Sequence, residues 1–404
     1  MTGIIKTDQI QGAGSSTVTI PSGTALNVTT VSGTPTFNGD VTLPSINGGQ
    51  IGGRRNIVVN GAMQVAQRGT SATGKGNNDE GYDTVDRFRL DFAGSTAGRL
   101  TMTQETITDL PGFANAIKLA CTTADTSIAS DEMGRLSTRF EGQDLQQFKK
   151  GTSEAESITI SFYVKGNANA TYALDLFDDD NTRQASQLFS VTSSWTRVVK
   201  TFAPDTTGAF DDDNARSLQM NIFFHAGSNL TSGTLNQTFA SNTNANRAVG
   251  ISSFFDSTDR TFFITGLQME VGSQATPFEH RSFGEELNLC QRYFEKWEGA
   301  DGSRGVSSYA LGGGVWYSND QILANLQYTV TKRVSPTITV SGAAALKAYG
   351  NGYARAANDT TCFDQIEEKN ARINISPFTG SGTAGYGTLV QINSGQSISI
   401  DAEL

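Results

Sequence analysis

Histidine, cysteine, positive charge and long apolar runs are all scarce in this chain, and each scarcity removes a class of function. The 404 residues include two histidines and three cysteines. Ser/His/Asp or Cys/His catalysis would have to run through His225 or His280. His225 lies near the end of the apolar run NIFFHAG and His280 lies in the turn PFEHRSFG, so both read as structural. No G-x-S-x-G nucleophile motif accompanies them. Cys121, Cys290 and Cys362 are far apart and odd in number, with neither zinc spacing nor a disulfide framework. Each reads as a small buried apolar residue. Lys and Arg total 30 against 40 Asp and Glu, for a net charge of −10. Phosphate binding needs a basic face, so nucleic acid is excluded as a partner. The Lys149-Lys150 and Arg54-Arg55 pairs are too small to change that. No run approaches the roughly 18–20 apolar residues of a membrane span. The opening MTGIIKTDQIQG lacks the basic start and apolar core of a signal peptide, so synthesis and folding in a cytoplasm are expected. The Asn-x-Ser/Thr triplets at Asn27 and Asn229 then carry no glycosylation meaning.

What the chain does contain is turn chemistry. Gly, Ser, Thr and Asn are abundant and are interleaved with short Val/Ile/Thr/Phe runs, which indicates a mainly β protein. Its length suits two or three domains. Residues 1–53 read as very short alternating strands closed by Gly, Pro or Asn, too thin for a monomeric core; a shaft or attachment segment in which several chains share one core is the preferred reading, and a disordered tail of low hydrophobicity is the other. Glycine pairs at 48–49 and 52–53 mark a joint. Residues 54–283 read as one β-sandwich. NIVVNGAMQVAQRGTS is expected to be a strand pair around Asn60-Gly61. ESITISFYVKG, ATYALDLFDDD, SQLFSVTSSWTRVVKTFAP, SLQMNIFFHAG and RTFFITGLQMEVG supply further strands, with a short helical stretch near 141–149. Residues 299–404 form a second β-rich unit, broken at Pro336 and ending on a strand.

Between the two units lies a junction. Thr261–Val271 reads as a buried strand, and Pro277 then forces Thr276 to be extended. Ser282 followed by Glu285 is a capping box that starts a helix over 284–298. Leu287, Cys290, Phe294 and Trp297 fall at alternating spacings of three and four, an a/d seam that needs a partner. The chain's own sandwich and further copies of the chain both qualify.

Two patterns point to binding chemistry. F-D-D-D-N-x-R occurs twice, and Asp178, Asp179, Asp180, Asn181, Asp211, Asp212 and Asp213 read either as solvated turn formers or as oxygen ligands for structural calcium. No other cofactor is called for. In the distal unit Trp316, Tyr317, Tyr349, Tyr353 and Tyr386 lie in glycine-rich surroundings. Sugar rings stack on such side chains while neighbouring polar groups bond the hydroxyls. Trp316 and Tyr317 alternate in a strand, so at least one should be core. Glycine beside Tyr349, Tyr353 and Tyr386 favours exposed loops.

LQMEVGSQATPFEHR with ELNLCQRYFEKW, NIVVNGAMQVAQRG upstream and SPTITVSG and DAEL downstream resemble a family of bacteriophage tail-fibre proteins. SITISFYVKG and SSWTRVVKTF look like strands of carbohydrate-binding jelly rolls. The resemblance covers the chain after Arg54. It implies a jelly-roll module over 54–283, a short linking helix and a C-terminal tip domain over 299–404. It implies a homotrimer on the virion, held to a phage tail or adaptor protein through its N-terminus and touching host surface polysaccharide. It also implies that Trp195, in SSWTRVVKTF, is a core residue. A non-enzymatic attachment fibre is the expected function. A polysaccharide-cleaving tailspike and a purely structural adaptor are its rivals; the long β-helix repeats of the first are missing.

Overall fold

The computed structural model describes residues 54–299, 308–342, 345–350, 353–356, 362–376 and 382–404. The expected shaft over 1–53, with its glycine joint, lies outside the described residues.

A sandwich of two antiparallel sheets occupies the first part. One sheet runs in the order Ser71–Lys75, Arg99–Thr106, Asn115–Thr123, Thr261–Val271, Ile158–Gly166, Thr196–Phe202. Its partner has seven strands, with Arg183–Val191, Ala170–Asp178, Arg216–Ala226, Met133–Glu141 and Arg89–Ala93 at its centre. Strand alternation explains the core: Leu100, Met102, Ile117, Ile160, Phe162 and Ile264 point from one sheet toward Leu136, Leu174, Leu176, Met220 and Ile222 of the other. Two single turns of 3₁₀ helix, Gly142–Asp144 and Gln146–Phe148, stand where a helical stretch was expected.

The Asn60-Gly61 motif is a turn, but not a hairpin. Asn60 and Met63 both have positive φ, 62° and 57°, and no strands flank them. Instead the buried Asn60 amide donates to the carbonyls of Val65 and Asp86, each at 2.9 Å, and its oxygen accepts from the Gln64 and Val65 N–H groups. A Cβ at Gly61 would lie 2.1 Å from the Leu267 carbonyl oxygen, so the turn is pressed against the sheet. Tertiary contact has overridden the local hairpin preference.

The junction helix is shorter than expected. It spans Phe283–Gln291, and the Ser282 hydroxyl accepts the Glu285 N–H at 3.3 Å. The Glu285 carboxylate pairs with Arg54 instead of returning to the cap. Phe294–Glu298, expected as the helix's last turn, is a strand hydrogen-bonded to Ser397–Asp401. The a/d seam therefore does not exist as one helical stripe. Cys290 is fully buried, Phe294 lies under the Arg68 guanidinium at 3.5 Å, and Trp297 packs on the distal core. Leu287 is half-buried. Cys290, Phe294 and Trp297 thus pack on the chain's own units.

Phe294–Glu298, Ser397–Asp401 and Thr337–Val340 make a three-stranded sheet. Behind it stands a seven-stranded sheet ordered Tyr353–Ala356, Leu346–Gly350, Gly387–Asn393, Ser308–Trp316, Ile322–Gln327, Asn370–Ile375, Phe363–Asp364. Ile322, Leu326, Ile373, Val390, Ile392, Ile398 and Ile400 fill the space between them. Charged groups bind this unit to the sandwich. Arg333 donates to the Asn214 carbonyl at 2.8 Å, and Asn214 donates back to the Arg333 carbonyl at 2.7 Å. The fully buried Lys332 bonds Glu295 at 2.7 Å and the Gln291 carbonyl at 2.6 Å.

Candidate functional site

Among the described residues, six of the nine exposed large apolar or tyrosine side chains lie on or beside three adjacent distal strands: Tyr309, Val315, Tyr317, Tyr349, Tyr386 and Leu389. That concentration makes the distal sheet the first place to look for a binding face. Alternation accounts for Tyr349, Leu389 and Val315, whereas Tyr309 stands opposite buried Ile392 and packs near Trp297. Lys347 and Tyr349 point outward between buried Leu346 and Ala348, and Leu389 points outward between Thr388 and buried Val390. Tyr349 stands opposite Leu389, which stands opposite Gly313; Val315 stands opposite Leu323. The strands Leu346–Gly350, Gly387–Asn393, Ser308–Trp316 and Ile322–Gln327 thus carry one apolar strip across their outer surface.

Glycine keeps the strip low. A side chain at Gly313 or Gly387 would meet nothing within 4 Å, so these positions leave flat backbone between the raised side chains. Lys347 Nζ lies 5.2 Å from the centre of the Tyr349 ring. At its other end the strip runs into an open cavity of about 640 Å³ lined by Leu323, Ala324, Asn325, Gln365, Glu367, Asn370 and Arg372. Arg372 is fixed by two hydrogen bonds to Asp364, at 2.6 and 2.7 Å. Those bonds hold the Asp364 carboxyl below its ordinary range. Amides and a locked guanidinium beside exposed rings can bond hydroxyls while the rings cover apolar C–H faces.

The tyrosines singled out by sequence fall into different places. Tyr349 and Tyr317 are exposed on this face, at 39% and 67%. Tyr386 is exposed in the turn that enters Gly387–Asn393. Trp316 is 3% exposed, with its ring against Gly382, and belongs to the core. Tyr353 pairs with Gly350 through its backbone, and its side chain lies outside the described part. Val315, Leu323, Leu389, Asn325 and Gln365 escaped sequence reading because the order of the strands brings them together.

The two acidic loops do meet. The Asp211 N–H donates to Asp180 at 3.0 Å, and the Asn181 amide donates to the Ala209 carbonyl at 2.8 Å. Two of their carboxylates pair with cations of the chain itself. Asp178 takes Lys150 Nζ at 2.6 Å, and Asp179 takes Arg216 and Gln219, each at 2.8 Å. Burial pushes the Asp179 carboxyl up, against the pull of Arg216. Asp213 accepts the Ala215 N–H at 2.8 Å, and Asp212 is exposed. Among the described residues no group of three or more His, Cys, Asp or Glu side chains is placed to hold a metal ion.

His225 is buried between Ser253, 2.9 Å from Nδ1, and Glu132, 3.1 Å from Nε2. The Ser253 hydroxyl already accepts the Phe255 N–H as a helix cap, so the arrangement is a packed hydrogen-bond chain. Burial pushes the imidazole below its ordinary range, against Glu132. His280 is exposed and stacks near Phe113 and Phe278. Trp195 is not a core residue: it is half-buried at the start of Thr196–Phe202, and its indole N–H donates to Asp109 at 2.9 Å.

No protein-family model matches the chain, and no curated protein matches it. Several solved structures align with parts of it. The enzymatically active domain of bacteriophage CBA120 tailspike protein 4 aligns at 10% identity and a TM-score of 0.28, over 54% of this chain and 21% of that one. The chain thus spans about a fifth of the tailspike's length. TmCBM61, in complex with β-1,4-galactotriose, aligns at 8% identity and a TM-score of 0.27, over 54% of this chain and 99% of its own. The family 11 carbohydrate-binding module of a Clostridium thermocellum cellulosomal cellulase aligns at 11% identity and a TM-score of 0.26, over 49% and 97%.

Proposed function

We propose that this chain is a host-attachment fibre of a bacteriophage virion, whose distal unit binds surface polysaccharide without cleaving it. The observation that carries the reading is the exposed strip from Tyr349 through Leu389 and Val315, running into the amide- and arginine-lined cavity beside Leu323. Such a surface suits a saccharide better than a protein. The Tyr349 ring and the apolar side chains beside it are interrupted by open glycine positions, and Arg372 is held in advance by Asp364. Glycoside hydrolysis needs two carboxylates flanking the bond, whereas among the described residues Glu367 is the one carboxylate lining this cavity. In this reading the fibre assembles in the host cytoplasm as a homotrimer, with the segment before Arg54 toward the tail. Three weak sites on one fibre give avidity that one site lacks.

The test uses full-length protein, host polysaccharide, and the double variant Tyr349→Ala, Leu389→Ser. Loss of retention on the polysaccharide at unchanged thermal stability is expected. Unchanged retention of that variant would refute the distal site, and release of oligosaccharides by the wild type would make the protein an enzyme. Light scattering reads the oligomeric state in the same samples.

A further inference from the structure

Three loops of the sandwich close around a single lysine. Lys150 Nζ donates to Asp178 Oδ2 at 2.6 Å and to the carbonyls of Gly208 and Thr207 at 2.7 and 3.0 Å. It also lies 3.2 Å from Asp205 Oδ2. The Lys150, Asp178 and Asp205 side chains are 3%, 0% and 6% exposed. Aromatic rings complete the shell, with the Phe210 and Phe239 centres 5.1 and 5.5 Å from Nζ. The loops touch backbone to backbone: a Cβ at Gly151 would strike the Ala209 nitrogen, and one at Gly208 would strike Asn181.

The two carboxylates are held in different ways. Arg183 bonds both oxygens of Asp205, at 2.8 and 2.9 Å, and fixes Oδ2 beside the lysine. Asp178 Oδ1 instead accepts from Asn181 twice, from the backbone N–H at 3.0 Å and from the side-chain amide at 3.2 Å. Two donors on one carboxyl oxygen, with an amine at the other, is the geometry of acyl transfer. Lys332, the other buried lysine among the described residues, bonds one carboxylate, Glu295. Lys150 has a second carboxylate within reach of its protons. Burying an ammonium with a carboxylate carries a desolvation cost, and a neutral amide in the same place avoids most of it. The Arg183–Asp205 pair would remain balanced after such a change.

We propose that Lys150 and Asp178 condense into an intramolecular amide bond, with Asp205 as the group that carries a proton between them. The ammonium first hands one proton to Asp178 Oδ2, leaving a neutral amine beside a neutral acid. The amine lone pair attacks the carboxyl carbon, and Oδ1 takes the developing negative charge under the Asn181 donors. Asp205 removes a second proton from nitrogen and delivers it to Oδ2. The carbon–Oδ2 bond breaks, and that oxygen leaves as water with both protons. One hydrogen stays on the amide nitrogen, where the Gly208 carbonyl can accept it. No oxidant, metal or further reactant enters. The bond closes the segment from Lys150 to Asp178, which holds one strand of each sheet, Ile158–Gly166 and Ala170–Asp178. The two layers are then joined covalently at both ends of that strand pair. This chemistry is independent of what the distal face binds.

The test is the intact mass of the full-length protein, read after denaturation. The wild type is expected to be lighter than its unlinked chain by one water, whereas Lys150→Arg and Asp178→Ala should keep the full mass. Fragmentation of a digest should show a peptide with two amino termini, joined through Lys150 and Asp178. Asp205→Ala keeps both reacting groups, and most of its freshly purified chain should be unlinked. Full mass in the wild type after prolonged incubation at neutral pH overturns the proposal and leaves Lys150 as an ion-pair partner only. A loss of water that persists in Lys150→Arg, or that maps to other residues, overturns it as well. Linking of Asp205→Ala at the wild-type rate would overturn the role given to Asp205. The wild-type mass and its mapping decide the matter even where a variant fails to fold.

Discussion

Arg87 and Glu403 form an ion pair across 316 residues of sequence, with the Arg87 side chain 2% exposed. The Tyr293 ring stacks on the same guanidinium at 3.4 Å. Arg68 reaches Glu403 from another side at 3.3 Å. The pair therefore ties the sandwich, the end of the junction helix and the last strand of the distal unit into one contact. Burial, the largest single influence, would lower the Arg87 guanidinium, but Glu403 together with Tyr293 and Tyr82 raises it and keeps the charge in place.

Removing one partner leaves a buried charge without compensation. Glu403→Ala is expected to cost about 3–5 kcal/mol, read as a lowered urea midpoint. Replacing both partners by apolar residues, Arg87→Met with Glu403→Leu, should recover most of that loss. A double variant as unstable as the single one would show that the neighbouring hydrogen bonds, and not the charge, set the cost.

Asp86 supplies a pH dependence of known sign. Burial raises its carboxyl to about 6 from 3.8, against hydrogen bonds from Gln67. The fold therefore favours the protonated form. Its contribution is fully present below 3.8 and is lost as pH rises through about 6. A shift of this size is worth roughly 3 kcal/mol at neutral pH. Asp86→Asn, which keeps an acceptor for the Gln67 N–H, should gain thermal stability over the wild type at pH 8 relative to pH 4. Parallel melting curves at both pH values would rule this out.

Gly266 has a φ of 63°, and a Cβ there would lie 2.7 Å from Phe113 and 2.9 Å from Tyr163. Gly266→Ala should cost about 2–4 kcal/mol, from backbone strain and displaced rings together. Near-ultraviolet circular dichroism should change with it, since the substitution disturbs the Phe113–Tyr163 pair.

Trp316 and Tyr317 are adjacent and should behave oppositely. Trp316→Ala removes a ring from the distal core and should cost about 3–5 kcal/mol. Tyr317→Ala should stay within about 0.5 kcal/mol of the wild type and be visible only in polysaccharide retention. Equal melting temperatures for the two variants would contradict the buried placement of Trp316.

Alternation made Ile158–Gly166 and Thr261–Val271 legible in the sequence because one of their faces is apolar throughout. Met133–Glu141 was not, since its other face carries Arg135, Ser137 and Arg139 in a polar layer. Phe294 and Trp297 suited a helical seam by spacing alone. Pairing with Ser397–Asp401, about a hundred residues later, decided otherwise. The distal strip needed the order of non-consecutive strands, which no local pattern encodes. Trp195 was placed in the core by resemblance, and its partner Asp109 sits on a distant loop.

The strand Ser397–Asp401 lies between Phe294–Glu298 and Thr337–Val340 and is hydrogen-bonded to both. Phe294–Glu298 continues directly from the junction helix. Mechanically, tension passing from the helix into the distal unit enters along a strand, parallel to its length. The ladder bonds to Ser397–Asp401 then bear the load in shear, all together, instead of opening one after another like a zipper. An anchor with that geometry yields late and abruptly under load.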